Sequence, residues 1–343
     1  MKEIDYIIVG LGLAGASLAL QLRKRGRSVI IFDEPHEHQA SRVAAGLFNP
    51  VTGKLMLRTW NADKLFPYLH EFYRDAEKET GSTFFYPMPI CIPFLSVEEQ
   101  NNWMVKNVEE EVYTNSRYGD FIKDDFGGVI LKSSGYVDTV KYLNAVSNLF
   151  PEQNSFIHEK LIVADNEITY DDIHAKAIIF CEGIRVSSNP LFSWVPVRPL
   201  KGETIEIIPG KIPPLIFNRG VYVVPSGDGK WCVGATYSHD VTEGISKTGK
   251  RELEGKLETL LSMPYTTGHH SWGIRPTTPD RRPLLGSHPE HKNVLIFNGM
   301  GTKGVSLAPW SSGILSDYLE EGFQIKDDVN ISRFYALYSK FRD

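Results

Sequence analysis

The chain is 343 residues long, 42% hydrophobic and 23% charged, with a formal net charge of −5. Two domains, or one large domain with an insertion, fit that length, and the composition excludes a disordered or membrane-embedded chain. The mild acidity and the absence of any basic run longer than Arg23-Lys24-Arg25 argue against strong nonspecific nucleic-acid binding.

In chain order the first predicted unit is βαβ. Tyr6-Ile7-Ile8-Val9 reads as a strand, Gly10-Leu11-Gly12-Leu13-Ala14-Gly15 as a glycine turn opening a helix, and Val29-Ile30-Ile31-Phe32 as a second strand ending at Asp33. The helix carries Leu18, Leu20 and Leu22 with small Ala16 and Ala19. A dinucleotide requires this order. Gly10 permits the tight turn, Gly12 lets backbone approach a pyrophosphate, and Gly15 lets the helix pack closely on the strand. Unpaired N–H groups and the dipole at the helix start favour an anion. Asp33 is placed to accept hydrogen bonds from ribose hydroxyls, so a dinucleotide with a free 2′-hydroxyl is expected. Small residues between Ser41 and Pro50 would let backbone approach the bound cofactor.

Residues 61 to 111 are predicted mainly helical, with Pro87, Pro89 and Pro93 breaking the middle. Gly135-Tyr136-Val137-Asp138 leads into a helix capped by Asp138, with Val140, Leu143, Val146 and Leu149 on its apolar face. The apolar run Ala177-Ile178-Ile179-Phe180-Cys181, ending at Glu182-Gly183, fits a buried parallel strand. Residues 196 to 240 alternate as an antiparallel sheet, through Thr204-Ile205-Glu206-Ile207, Val221-Tyr222-Val223-Val224 and Trp231-Cys232-Val233, with a hairpin turn from Pro225 to Gly229. After Gly273-Ile274-Arg275-Pro276 comes the strand Val294-Leu295-Ile296-Phe297. A second glycine turn, Asn298-Gly299-Met300-Gly301-Thr302-Lys303-Gly304, opens a helix that stops near Gly322 and tolerates Pro309 in its first turns. Two glycine turns at helix starts, one near each end, argue for a nucleotide fold assembled from separated pieces, with the middle sheet as a substrate platform. Cys91, Cys181 and Cys232 are far apart and form no C-x-x-C, so they read as reduced thiols. The chain enters its first strand directly from Met1-Lys2-Glu3, without a signal pattern or an apolar run near eighteen residues, and a cytoplasmic protein is expected.

Taken together, these pieces resemble the FAD-dependent D-amino-acid oxidase superfamily, which includes glycine oxidase and sarcosine oxidase. Besides the N-terminal turn with Asp33, the likeness is carried by Ser41 to Gly46, Gly135 to Asp138, Arg198-Pro199-Leu200-Lys201-Gly202-Glu203, Tyr222-Val223-Val224-Pro225, Gly234-Ala235-Thr236, and Gly273 to Pro276 with Thr278-Pro279-Asp280 and Pro283. It covers nearly the whole chain. It implies an α/β fold in which residues 1–66, 134–206 and 270–343 form a discontinuous Rossmann-like FAD-binding domain. Residues 67–133 and 207–269 would then form an antiparallel-sheet α+β substrate domain. The implied chemistry is hydride transfer from the carbon beside an amine nitrogen to flavin N5, followed by imine hydrolysis and passage of electrons to oxygen or another acceptor. Non-covalent FAD would lie against Gly10, Gly12, Leu13, Ala14, Gly15, Asp33, Glu34, Ser41, Arg42, Ala45, Gly46, Glu182, Gly183, Arg275, Gly299, Gly301, Thr302, Lys303 and Gly304.

Three residues carry the implied catalysis. Arg275 matches the arginine that holds the substrate carboxylate in the glycine oxidase branch, a task suited to a planar guanidinium fork. Tyr222 matches an active-site tyrosine that donates a hydrogen bond to substrate, and Lys303 would add positive potential beside the reduced flavin. Two departures bear on the cofactor. The sarcosine oxidase branch tethers its flavin through a cysteine where this chain has Gly273, so dissociable FAD is expected. The pairs His36/His38 and His269/His270 lack further ligands around them, so no metal is expected.

Other readings remain open on sequence. The oxidase half of the bifunctional tRNA wobble-uridine modification enzyme is similar at Ala45 to Pro50 and at Gly301-Thr302-Lys303-Gly304-Val305 with Ala308-Pro309. There the substrate would be a carboxymethylaminomethyl group on RNA, against which the acidity of the chain stands. A flavin-binding protein without turnover, a dehydrogenase serving a quinone or electron-transfer partner, and an NAD enzyme are the remaining alternatives; the last leaves the second glycine turn without a role.

Overall fold

The computed structural model describes residues 2–52, 57–104, 111–114, 118–150, 153–164 and 167–342. Strand β1 (Lys2–Val9), helix α1 (Leu13–Lys24) and strand β2 (Val29–Phe32) form the expected βαβ unit, with Tyr6 opposite Val29 and Val9 opposite Phe32 in parallel register. On its other edge β1 pairs in parallel with Ile173–Phe180, which pairs in turn with Val294–Asn298. The spatial order is therefore β2, β1, 173–180, 294–298. The winding direction reverses between β1 and the 173–180 strand, and open α/β sheets bind ligands at the carboxyl ends of strands at such a switch point.

These strands read as continuous apolar runs because both faces are covered. Ile8, Ile179 and Phe297 pack on one face with α1 and helix Gly304–Glu321, while Ile7, Ile178, Phe180 and Ile296 pack on the other with Val186, Phe192 and Trp194. Helix α1 is buried from Leu13 through Leu20, as expected of a helix that is apolar around most of its circumference.

The second large sheet runs in the order Tyr265–Thr277, Arg198–Pro209, Lys230–Gly234, Val221–Gly227, Ile216–Arg219, Ile90–Pro93, Gly128–Leu131, Glu111–Thr114. Its neighbours are antiparallel except at the pairing of 216–219 with 90–93. Helix Lys247–Leu260 covers one face with Leu253, Leu257 and Leu260.

Some expectations needed correction. Among the described residues of the 61–111 region only Ala62–Thr80 and Val97–Met104 are helical; Phe85–Pro87 and Ile90–Pro93 are strands. Pro87 and Pro93 end those strands, where a missing donor is tolerated, and Ile90 and Ile92 are buried. Asp138 does cap helix Thr139–Ser147, accepting from the Lys141 N–H at 3.0 Å. The buried face of that helix, however, is Tyr142, Leu143, Ala145 and Val146, and Val140 is 41% exposed.

Pro309 lies in the second turn of helix Gly304–Glu321, within the first turns as expected. Its ring removes the donor that the Val305 carbonyl would receive, and the Tyr73 hydroxyl donates to that carbonyl at 3.0 Å instead. Tyr73 is fully buried. A Tyr73→Phe variant is therefore expected to lose about 1–3 kcal/mol of stability in urea titrations, because a buried acceptor loses the hydroxyl that replaces the missing helix donor.

Candidate active site

A cleft of about 2390 Å³ runs along the carboxyl ends of the parallel strands and over one face of the second sheet. Ordinary ligand sites span about 300–1,000 Å³, so this one has room for a dinucleotide together with a substrate. Its first wall is the turn after β1. Gly10 sits at φ 98°, and a Cβ there would meet the Cys181 carbonyl oxygen at 2.6 Å, so the switch point admits only glycine. A Cβ at Gly12 would meet Ser41 Oγ at 3.0 Å, and that hydroxyl accepts from the Leu13 N–H at 3.1 Å. Backbone, not side chain, therefore faces the cleft at the start of α1. Asp33 uses one carboxylate oxygen to accept from the Leu11 N–H at 2.9 Å, which leaves its second oxygen for a ribose hydroxyl.

The second glycine turn closes against the first. A Cβ at Gly304 would approach Leu13 Cδ1 to 2.8 Å, so the two helix starts lie side by side. The Asn298 side chain donates to the Gly183 carbonyl at 2.8 Å and accepts from the Gly299 N–H at 2.7 Å, joining the ends of the third and fourth parallel strands. The Gly301 N–H donates to the Pro276 carbonyl at 3.0 Å, which ties the turn to the strand carrying Arg275. Lys303 Nζ donates to Thr59 Oγ1 at 3.2 Å, and burial, with Arg281 and Arg282 nearby, lowers its pKa.

The substrate face of the second sheet is shaped by two glycines. The Arg275 guanidinium lies over Gly202, where a Cβ would fall 2.1–2.3 Å from three of its atoms. The Tyr222 hydroxyl lies over Gly234, 2.4 Å from where a Cβ would be. Arg275 Nη1 donates to the Thr236 carbonyl at 3.3 Å, and the Tyr237 ring centroid is 5.0 Å from the guanidinium carbon. Burial pushes the Tyr222 phenol well above its usual pKa, so it stays protonated and able to donate.

Of the residues singled out on sequence, Gly10, Gly12, Leu13, Ala14, Asp33, Glu34, Ser41, Ala45, Gly46, Glu182, Gly183, Tyr222, Arg275, Gly299, Gly301, Thr302, Lys303 and Gly304 line this cleft. Two do not. Gly15 faces β1, where a Cβ would fall 1.9 Å from the Gly10 carbonyl oxygen, so it serves packing alone. Arg42 turns to Gln39 and Asn144, at 3.2 and 3.0 Å. Glu34 is bonded to Arg185 at 3.2 Å. The histidines also separate: His38 stacks on Trp272 at 4.6 Å, while His270 is a strand residue whose side chain lies buried 2.8 Å from Glu203. Among the described residues no group of three or more His, Cys, Asp or Glu is arranged to hold a metal ion.

Sequence reasoning missed Thr59, Trp60, Tyr237, Arg281 and Arg282, all in the cleft wall, and assigned no side-chain role to Asn49 or Asn298 within the segments it did mark. The Asn49 Oδ1 atom is buried without a hydrogen-bond partner, an acceptor that a ligand N–H would satisfy. Together with the side-chain-free helix start and the open Asp33 oxygen, this donor and acceptor set fits a flavin dinucleotide.

Comparison with known proteins agrees. Over 98% of its length the chain is 25% identical to the bifunctional protein ThiO/ThiG of Trichormus variabilis, and it spans about half (55%) of that protein. It is 23% identical to the glycine oxidase of Bacillus subtilis, with 93% of each chain covered. Solved structures of glycine oxidase from Bacillus cereus and iminodiacetate oxidase from Chelativorans sp. share the fold, each with a TM-score of 0.77. Their identities are 18% and 19%, over 94% and 96% of this chain and 96% and 98% of theirs. Residues 5–318 match the DAO family, described as FAD dependent oxidoreductase, and the chain belongs to that family.

Proposed function

We propose that the protein oxidises the C–N bond of a small amino acid, or of a secondary amine carrying a carboxylate. The observation that carries this reading is the pairing of Arg275 and Tyr222 over the bare backbone of Gly202 and Gly234, in the same cleft as both glycine turns. FAD bound along the turns would supply the hydride acceptor, flavin N5, and hand the electrons to oxygen or another acceptor. The protein's own part is placement. Arg275 presents a planar fork to a carboxylate, with the Thr236 carbonyl and the Tyr237 ring fixing its plane. Tyr222, kept protonated by burial, donates a second hydrogen bond to the same end of the substrate. Lys303, at the start of the second helix, adds positive potential where negative charge develops.

The domain division belongs to this proposal. Residues 1–66, 134–206 and 270–343 would hold the dinucleotide and residues 67–133 and 207–269 would cover it, with strand Arg198–Pro209 crossing the 206/207 boundary and strand Tyr265–Thr277 the 269/270 boundary.

The test is anaerobic. Purified holoenzyme mixed with glycine, N-methylglycine or another N-alkyl glycine is expected to lose its absorbance near the flavin maximum within the mixing experiment. Retention of full colour with every carboxylated amine tried would overturn the assignment. Acid precipitation of the same sample should release the flavin into the supernatant, because Gly273 offers no side chain for a tether and packs against the 38–40 backbone, with a Cβ position 3.2 Å from Ala40 Cα.

A further inference from the structure

Of the buried side-chain polar atoms that lack a hydrogen-bond partner among the described residues, Asn49 Oδ1 alone belongs to a residue lining the cleft. A buried acceptor left unpaired is destabilising, so the position implies a donor that arrives with a ligand. The neighbouring residues show where that donor sits. Leu47 and Val51, two positions to either side of Asn49, pack in one apolar cluster with Ile92, Val224 and Tyr222, whereas Phe48 packs into the opposite core with Phe66 and Phe85. Side chains alternate along an extended chain, so Asn49 falls on the Leu47 side, in the wall shared with Tyr222. The same segment is tied to the second glycine turn. The Pro50 carbonyl accepts from the Thr59 N–H at 2.7 Å, and Thr59 Oγ1 accepts from Lys303. Asn49 therefore stands between the Tyr222 wall and the turn bearing Lys303.

Arg275 and Tyr222 both donate, which matches the oxygens of a carboxylate. The amine nitrogen beside that carboxylate needs a partner of the other kind, because a neutral amine presents its N–H to an acceptor. We propose that Asn49 accepts the substrate's N–H through Oδ1 and so selects the amine, while Arg275 and Tyr222 hold the carboxylate. The inference rests on the reading of Arg275 and Tyr222 as the carboxylate holders. Fixing one N–H sets the rotation about the Cα–N bond and leaves the nitrogen lone pair free to assist departure of the hydride. A flavin N–H is the competing donor; the face that Asn49 shares with Leu47 and Val51, toward Tyr222, favours the substrate. The substrate class narrows to primary and secondary amines, since a tertiary amine as free base has no N–H and would leave Oδ1 unpaired.

Pyrrole-2-carboxylate and 2-furoate test this without turnover. The two planar acids share shape and charge, and differ in having a ring N–H or a ring oxygen next to the carbon that bears the carboxylate. Each is titrated into oxidised holoenzyme, and binding is read from the perturbed flavin spectrum. Pyrrole-2-carboxylate is expected to bind roughly tenfold more tightly or better, because the furan oxygen meets Oδ1 as a second acceptor. An Asn49→Leu variant, near in volume and matched to its apolar neighbours, should erase that preference while FAD affinity and flavin reduction potential stay at wild-type values. Asn49→Asp keeps an oxygen in place, so the preference should persist even as its charge weakens both acids alike. Equal affinities or a preference for 2-furoate in the wild type, a preference surviving in Asn49→Leu, or one lost in Asn49→Asp would each overturn the amine contact. A fall in FAD affinity or a shifted potential in Asn49→Leu would overturn it too, by assigning the atom to the flavin. If Arg275→Ala binds 2-furoate as the wild type does, the carboxylate reading fails instead, and the orientation inferred for Asn49 falls with it.

Discussion

An Arg275→Ala enzyme is expected to retain its FAD and to lose about 2–5 kcal/mol of apparent affinity for carboxylated amines, a rise in KM of roughly 30-fold to several thousand-fold. The size follows from the setting. Arg275 is held in a partly desolvated wall by the Thr236 carbonyl and the Tyr237 ring, so a substrate carboxylate entering without it is left uncompensated. Steady-state kinetics with the flavin content normalised by absorbance check the prediction, and unchanged KM would show that another residue holds the carboxylate. Gly202→Ala gives an independent route to the same phenotype. The new Cβ would fall 2.1–2.3 Å from the guanidinium and must displace it. A flexible side-chain end moves more readily than backbone, so the sheet is expected to survive while KM rises. If both variants behave alike, the guanidinium is identified by its position rather than by its charge alone.

What the sequence showed and what it concealed divide along a physical line. The turn from Gly10 to Gly15, the acid at Asp33 and the Asp138 cap were legible because each is a local arrangement whose partners lie within a few residues or one βαβ unit. The helical phase of residues 139–147 was not, since tertiary packing buried Tyr142 and Ala145 and turned Val140 outward. Arg42 shares a segment with cleft-lining Ser41 and Ala45, yet it is drawn to Asn144, about one hundred residues away in sequence (|i−j| = 102). Thr59, Trp60, Tyr237, Arg281 and Arg282 meet the cleft only through the order of strands in space, which no local pattern encodes. Gly202 carried a usable signal: a glycine inside an alternating strand marks a place where another group approaches closely, and here that group is Arg275.

Replacing Gly15 by alanine is expected to abolish tight FAD binding. Its Cβ would lie 1.9 Å from the Gly10 carbonyl oxygen, and no real Cβ contact falls under 3.0 Å, so α1 must retreat from β1 by about 1 Å or more. Backbone opposes backbone at this point, and neither side has a rotamer to yield. The retreat moves the first-turn N–H groups away from the pyrophosphate position and separates Leu13 from Gly304, where the two helix starts meet. Overpacking of this kind costs about 1–3 kcal/mol or more, and the stabilisation that bound FAD confers on the folded chain is lost with it. Gly26→Ala supplies the contrast. Gly26 has φ 73° with nothing within 4 Å of its Cβ position, so its cost is conformational only, about 1–2 kcal/mol, and FAD affinity should stay at the wild-type value. Fluorescence titration of the apoproteins with FAD, alongside melting curves with and without the cofactor, separates the two effects. Normal FAD binding by Gly15→Ala would mean that the dinucleotide does not rest on this turn at all, because a helix start displaced by that distance cannot present the same donors to the same phosphate.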